Sequence, residues 1–340
     1  MEKFSELKYV RPDMPAIAAE TERAVAALES AADYKAARAA FMEIERISSK
    51  IETIASLASV RNTLDTTDKF YEDEVNYMSA ESAKMTGINK RGAQALLNSP
   101  FRADFEAEFG TQLTRTLAAE ERLQCEANVE LNIQQDLECV EFNKTAATCS
   151  CDFDGEQCNF YGLQRHMQST DRDERRRAFI KWAEMYESIS DKLDAQYDKL
   201  ISLRQEMARR AGFSSFTEMA YLNMRRLDYG PEEVRAFREQ VKQYVVPVCD
   251  KLFKEQAERL GVDKLRYYDE ALIYPEGNAI PQGDMRTLVG KAQQMYRELS
   301  PETGEFFDFM VKYELFDLET HPGKHMGGYC TSLPDYNAPF

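Results

Sequence analysis

The chain has 340 residues, 43% of them hydrophobic, with only 15 glycines and 11 prolines; this composition excludes collagen-like, low-complexity and loop-rich all-β designs and favours helix. Its formal net charge of -16 opposes the phosphate backbone of nucleic acids and the anionic face of membranes, so no nucleic-acid and no membrane partner is expected, while peptides remain compatible with an acidic surface. The start, Met1-Glu2-Lys3-Phe4-Ser5-Glu6, has no apolar signal-peptide core, no apolar run is long enough to span a bilayer, and the seven cysteines form an odd set suited to a reducing compartment, so a cytoplasmic protein without a disulfide framework is predicted.

Pro15 opens an apolar-periodic segment running to about Ser30, and Asp33 stands where an N-cap would start a second helix, which predicts two long antiparallel helices. Tyr34, Ala37, Phe41, Ile44, Ile51, Ile54 and Ala58 recur at three- to four-residue spacing as a core stripe. Asp68 begins a further helix through Tyr71, Val75, Met78 and Met85. Asn98-Ser99-Pro100 and Gly110-Thr111 mark boundaries, after which Thr114 to Glu141 reads as one helix.

The helical pattern then fails. Thr148 to Phe153 alternates with period two and Asp154-Gly155 is a turn dipeptide, so a small β-hairpin is predicted near residues 146–160. From Asp171 to Ala211 one unbroken helix of roughly 60 Å is predicted, burying Phe179, Trp182, Tyr186, Ile189, Leu193, Tyr197, Leu200 and Met207 and stopping at Gly212. Ser214-Ser215 caps a short helix to Met224. Pro231 opens another, which must kink or split at Pro247 before ending at Gly261. Two more helices are predicted, from Asp284 to Leu299 and from Pro301 to Leu315, followed by a strand near residues 325–332.

The three histidines, His166, His321 and His325, are followed by Met167, Pro322 and Met326, so no His-Glu-x-x-His zinc motif is present. His321 and His325 have four-residue spacing, but Pro322 and Gly323 between them forbid the helix that would aim both rings at one metal. A site drawn from Cys149, Cys151, Cys158 and His166 has no standard zinc spacing, and cysteines buried in a hairpin core are the preferred reading. There is no G-x-S-x-G elbow, P-loop or G-x-G-x-x-G turn. No residue is therefore assigned as catalytic or as a metal ligand. Gly327-Gly328-Tyr329 is the one local candidate. A glycine pair in an extended segment is either an edge that binds peptide through its main chain or a bulge packed tightly against a neighbour, and the residues alone weight the two equally.

Several blocks, in order, resemble oligoendopeptidase F-like zinc metallopeptidases, relatives of thimet oligopeptidase. They are Ala211-Gly212-Phe213-Ser214-Ser215-Phe216, the run from Tyr221 to Tyr229, Leu265-Arg266-Tyr267-Tyr268-Asp269, the run from Pro275 to Pro281, and the tail from Gly323 to Thr331. The resemblance extends over nearly the whole chain. It implies a mainly α fold, with long antiparallel helices forming an N-terminal helical lobe with the hairpin (1–165) and the first part of a peptidase catalytic domain (166–340). It also implies that Gly327, Gly328 and Tyr329 lie along a bound peptide backbone, and that the His-Glu-x-x-His helix, whose Glu activates a zinc-bound water, comes after Phe340.

On that reading the chain is the N-terminal portion of a zinc-dependent oligoendopeptidase that hydrolyses short unstructured peptides. Zinc belongs to the intact parent, none is expected on this chain, and the chain alone is predicted inactive. Homo-oligomerisation is left open. The alternative is a non-catalytic helical peptide-binding or assembly protein.

Overall fold

The computed structural model describes every residue except Thr148, Thr320, Pro322 and Met326, and the side chains of the remainder except those of Glu126, Val140, Asn143, Lys144 and Ala147. The helices are α1 (Met14–Glu29), α2 (Tyr34–Leu64), α3 (Lys69–Lys84), α4 (Thr86–Leu97), α5 (Arg102–Phe109), α6 (Thr111–Leu123), α7 (Val129–Ala147), α8 (Phe160–His166), α9 (Arg172–Glu187), α10 (Ser190–Arg210), α11 (Phe216–Asn223), α12 (Pro231–Gln240), α13 (Val246–Arg259), α14 (Met285–Leu299) and α15 (Pro301–Lys312). Two antiparallel pairs, β1 (Cys151–Phe153) with β2 (Glu156–Cys158) and β3 (Ser332–Leu333) with β4 (Ala338–Pro339), supply the strands among the described residues. The fold is mainly α, as the composition requires. None of the described helices is long and apolar enough to cross a membrane.

By packing, the chain divides into two compact units, residues 1–121 with 281–340 and residues 122–280. The predicted hairpin, placed with an N-terminal lobe by sequence order, therefore packs in the second unit.

In the first unit, α1 and α2 pair as predicted, each capped by an aspartate: Asp13 Oδ1 accepts from the Ala16 amide at 3.1 Å and Asp33 Oδ1 from the Ala36 amide at 2.8 Å. The 31 residues of α2 run about 46 Å and serve three apolar clusters in turn. Ala37, Ala40 and Phe41 pack with Leu28, Leu96 and Phe105, where Phe41 and Tyr34 meet the Phe105 ring edge-on. Ile51 and Ile54 pack against Met14, Met78 and Met85. Leu57 and Val60 face Phe4, Leu7, Leu315, Leu333 and Ala338. The buried Glu74 of α3 accepts from Tyr9 Oη at 2.7 Å and Arg11 Nε at 2.9 Å, which ties the N-terminal arm to the bundle. Helix α15 ends at Lys312, earlier than predicted, because Glu314 turns left-handed and the Leu315 amide returns to the Met310 carbonyl, burying Leu315.

In the second unit three predicted helices are divided. The helix predicted from Thr114 to Glu141 breaks between α6 and α7 because Asn128 turns inward to donate to the Met207 carbonyl at 2.8 Å and Arg210 caps the Ala127 carbonyl at 2.7 Å. The predicted 60 Å helix is two, α9 and α10, separated at Ser188 and Ile189. There Ser188 Oγ donates to the Met185 carbonyl and Ser190 Oγ to the Glu187 carbonyl, side-chain bonds that compete with the helical ladder. The break changes which face is inward, so Tyr197 is exposed and Ala178 and Met185 are buried. At Pro247 the prediction of a split is met by a π-turn, Val241–Val245, between α12 and α13. A proline at that place removes one amide and crowds the carbonyl four residues back, and widening the preceding turn relieves both.

A fully buried carboxylate organises the 264–278 segment. Asp269 accepts from Arg172 Nη2 and Arg175 Nη2, each at 2.9 Å, and from the Arg266 amide at 3.0 Å. Burial works against its charge, but these donors more than offset it and keep its pKa below the usual carboxylate value. Gln256 then donates to the Leu272 carbonyl, while Asn278 accepts from the Ile273 amide and donates to the Ala271 carbonyl, both at 2.7 Å.

Two outcomes follow. Asp269→Asn leaves Arg175, itself only 3% exposed, without its counter-charge, and is expected to cost about 3–5 kcal/mol in chemical denaturation; a change under about 1 kcal/mol would refute the role given to it. The Arg11 hydrogen bonds hold the Glu74 pKa below its ordinary 4.5 against the opposing effect of burial. A depressed carboxylate stabilises the fold above the unfolded pKa, and that contribution disappears as pH falls through the folded value. Thermal melts between pH 7 and pH 3 should therefore show a loss of Tm below about pH 4.5 that is smaller in Glu74→Gln than in the parent chain.

Candidate functional site

The predicted site residues lie on the surface of the first unit, over the C-terminal half of α2, and three anchors place them. Lys324 Nζ is held by the Asp317 carboxylate at 2.5 Å and by the Glu319 carbonyl at 2.7 Å. Burial raises the cost of the Asp317 charge, yet Lys324 and then His321 beside it keep its pKa below the ordinary value. The Gly323 carbonyl accepts from both the amide and the hydroxyl of Thr66 at 2.7 Å. A Cβ on Gly323 would stand 2.9 Å from Asp65 Oδ1, so a side chain here would push the segment off the end of α2. Next, the His325 amide donates to the Thr63 carbonyl at 2.8 Å, and the Tyr329 hydroxyl meets Thr63 Oγ1 at 2.5 Å. Beyond the site, Thr331 and Phe340 exchange backbone hydrogen bonds at 2.8 and 2.9 Å, and the Asp335 amide donates to Thr53 Oγ1 at 2.8 Å.

Between these anchors residues 327–330 are exposed, and among the described residues their backbone groups make no hydrogen bond within the chain. The strand predicted near 325–332 starts later, at Ser332, where the chain first finds a partner in β4; Met326, within the predicted stretch, lies outside the described residues. Gly327 adopts φ +92° and a Cβ on either glycine would meet nothing within 4 Å. Tight packing is thus not what these glycines provide within the chain. They leave an open, unpaired length of backbone.

Beside it Tyr329, Cys330 and Thr331 line a groove of about 440 Å³ whose other wall is α2, with Glu52, Ser56, Ser59 and Thr63; Gly327 and Gly328 precede this groove and are not among its lining residues. These α2 residues were not singled out in the sequence. Their positions 52, 56, 59 and 63 follow helical spacing along one face, but a row of small polar residues is the ordinary signature of a solvated face, so the signal was present without being distinctive.

Among the described residues neither His321 nor His325 enters a metal-binding set. His321 Nε2 lies 3.5 Å from Asp317 Oδ2. Among the described residues one group of three donors is close enough to share an ion: Glu156, Cys158 and His166, in the second unit. Of the four residues weighed for a sulfur-rich site, Cys158 and His166 are brought together and Cys149 and Cys151 stand outside the group. Cys149 and Cys151 pack at the edge of the cluster formed by Phe153, Cys158, Phe160 and Leu163. Burial raises the thiol pKa of both Cys151 and Cys158.

The family model described as Peptidase M3 N-terminal domain matches residues 4–123, and the one described as Peptidase family M3 matches residues 165–275. No curated protein matches the chain. Among solved structures, PZ peptidase A with an inhibitor is 37% identical with a TM-score of 0.87, over 99% of this chain and 60% of that one. A protein described as an oligoendopeptidase F is 36% identical with a TM-score of 0.88, over 100% of this chain and 60% of its own. Another so described, from Bacillus anthracis strain Ames, is 34% identical with a TM-score of 0.86, over 100% of this chain and 62% of its own. The chain spans about 60% of the length of these solved relatives. With two family models matched in order and this likeness along its whole length, the chain belongs to peptidase family M3 and is oligoendopeptidase F-like.

Proposed function

We propose that the chain is the N-terminal portion of a zinc-dependent oligoendopeptidase, that its catalytic-domain sequence begins near residue 166, and that residues 327–330 with the facing wall of α2 bind substrate. The observation that carries this reading is the likeness to peptidases over 99–100% of this chain against 60% of theirs. The open backbone beside the groove supports the local part. Peptide amides pair with an unpaired edge irrespective of side chain, which suits an enzyme acting on short unstructured peptides of varied sequence. Tyr329, held by Thr63, contributes a flat wall with a polar tip.

The histidines here do not fit the zinc the family implies: no three donors converge at the tail among the described residues. This chain alone is accordingly inactive in our reading, and the zinc ligands and general base belong to the rest of the enzyme. A cytoplasmic location, the exclusion of nucleic acid and membrane, and short peptides as partners complete the proposal. Self-association has its own support: Phe237, Tyr244, Val248, Leu252 and Phe253 are all exposed along α12, the π-turn and α13, an apolar series of the kind that drives contact between copies.

Two measurements test this. The intact enzyme should cleave a quenched fluorescent peptide, lose that activity to a chelator and regain it with zinc, while residues 1–340 alone do nothing; a zinc-replete intact enzyme without peptidase activity would refute the proposal. In the intact enzyme Gly328→Pro removes one backbone donor from the edge, and the loss of about 1.4 kcal/mol should raise KM about tenfold with little change in kcat. An unchanged KM would show that the peptide lies elsewhere.

A further inference from the structure

We propose that Glu156, Cys158 and His166 form a zinc-binding site in the second unit. Their donor atoms all lie within 4.8 Å of one another, a set that joins one thiolate, one imidazole and one carboxylate. This combination selects zinc over calcium and magnesium, which take oxygen donors alone.

The local fold builds the arrangement. The hairpin register sets Phe153 opposite Glu156 and Cys151 opposite Cys158, around a turn in which Asp154 and Gly155 both have positive φ. Glu156 and Cys158 are two residues apart on β2 and so share a face. Asn159 caps α8 by accepting from the Gly162 amide at 2.9 Å, and α8 carries His166 back over that face. Gly162 permits the close pass: a Cβ there would lie 3.1 Å from Cys158 Cβ and 3.2 Å from its Sγ.

Each donor is also oriented. His166 Nδ1 is engaged by Glu174 Oε1 at 2.7 Å, and Glu174 is fixed in turn by the Ser169 hydroxyl at 2.6 Å. That leaves Nε2 as the metal-facing nitrogen, in the carboxylate-imidazole-metal relation that fixes tautomer and ring plane. Nε2 is buried and has no hydrogen-bond partner among the described residues, lying 3.5 Å from Glu156 Oε2. Arg165 holds the other Glu156 oxygen, Oε1, and so turns Oε2 inward. Cys158 is 1% exposed, and among the described residues its thiol has no hydrogen-bond partner. A buried imidazole nitrogen left without a partner is uncommon in a packed interior, whereas a buried thiol alone is ordinary; it is the nitrogen standing beside the thiol that points to an ion. Tetrahedral zinc with bonds of about 2.0–2.3 Å needs donor separations of about 3.3–3.6 Å; Glu156 Oε2 and His166 Nε2 already stand 3.5 Å apart, and the whole set lies within 4.8 Å, about 1 Å from that geometry. On binding, the thiol proton leaves to solvent and the fourth position takes water.

The test uses the reduced 340-residue chain, stripped of metal and titrated with cobalt and then zinc. One cobalt per chain should bind with a thiolate-to-cobalt charge-transfer band, and zinc should displace it. Cys158→Ser should abolish the band while Cys151→Ser and Cys330→Ser keep it, and Glu174→Gln should weaken affinity about 10- to 100-fold. Should Cys158→Ser fail to fold, the surface variant Glu156→Gln serves instead, with a weakening of about tenfold or more expected. Absence of the band in natively folded chain with its thiols reduced overturns the site, and so does a band that survives Cys158→Ser. A Cys151 to Cys158 disulfide that re-forms in preference to metal uptake under mild reductant also overturns it.

Discussion

Everything in the first unit depends on α2 being long enough to floor three separate apolar clusters. Its N-terminal third closes against α1, α4 and α5, its middle against the methionines of α1 and α3, and its end against the N-terminal arm and the C-terminal ribbon. The same final turns also carry the polar groups that locate that ribbon: Thr53 takes the Asp335 amide, Thr63 takes His325 and Tyr329, and Thr66 just beyond takes Gly323. One helix therefore supplies both the hydrophobic seat and the register of the groove. Burial gives the attraction and the threonines choose where along the helix the chain is held, because a misplaced ribbon would leave these donors and acceptors unpaired.

The sequence disclosed most of what local chemistry decides. The aspartates at 33, 68 and 284, read as helix starts, cap helices in the structure, the hairpin forms around the expected Asp154-Gly155 turn, and Pro247 disturbs its helix where expected. What it did not disclose is what distant residues decide. The break before α7 needs the Met207 carbonyl as a partner for Asn128, a residue 79 positions away, and no periodicity signals that. The division of α9 from α10 arises from two serines whose hydroxyls are neutral in a pattern of apolar spacing. At the candidate site Gly327, Gly328 and Tyr329 were legible because glycine pairs are rare, whereas the α2 wall was hidden within an ordinary polar face. Cys158 and His166 were noticed and set aside on spacing and on the usual burial of hairpin thiols; the acidic member, Glu156, becomes visible only once the hairpin register puts it beside them.

The blocks through which the chain resembles its relatives turn out to close loops. Asp269 and Asn278 each satisfy several backbone or guanidinium groups in a segment with little regular structure. In the Ala211 to Phe216 block, the Phe213 amide returns to the Ala208 carbonyl while Glu218 receives the Ser214 amide and hydroxyl. Such segments have few alternative solutions, since each polar side chain answers a particular set of otherwise unpaired groups. Irregular loops, not helices, are therefore where this fold is most recognisable from its letters.

The widened turn at Val241–Val245 carries an implication for how this region tolerates change in length. An extra residue in one turn offsets the angular phase of everything downstream by about 100° relative to an unbroken α-helix. Gln256 and Arg259, which reach the Leu272 and Ile273 carbonyls, lie downstream of it together with the loop they fasten, so the offset is expressed in α12, which buries no side chain. Deleting one residue there would straighten the rod and re-aim the faces of α12 relative to α13 while leaving the loop fastenings in place, so the irregularity acts as a phase setting between the two halves of the helix.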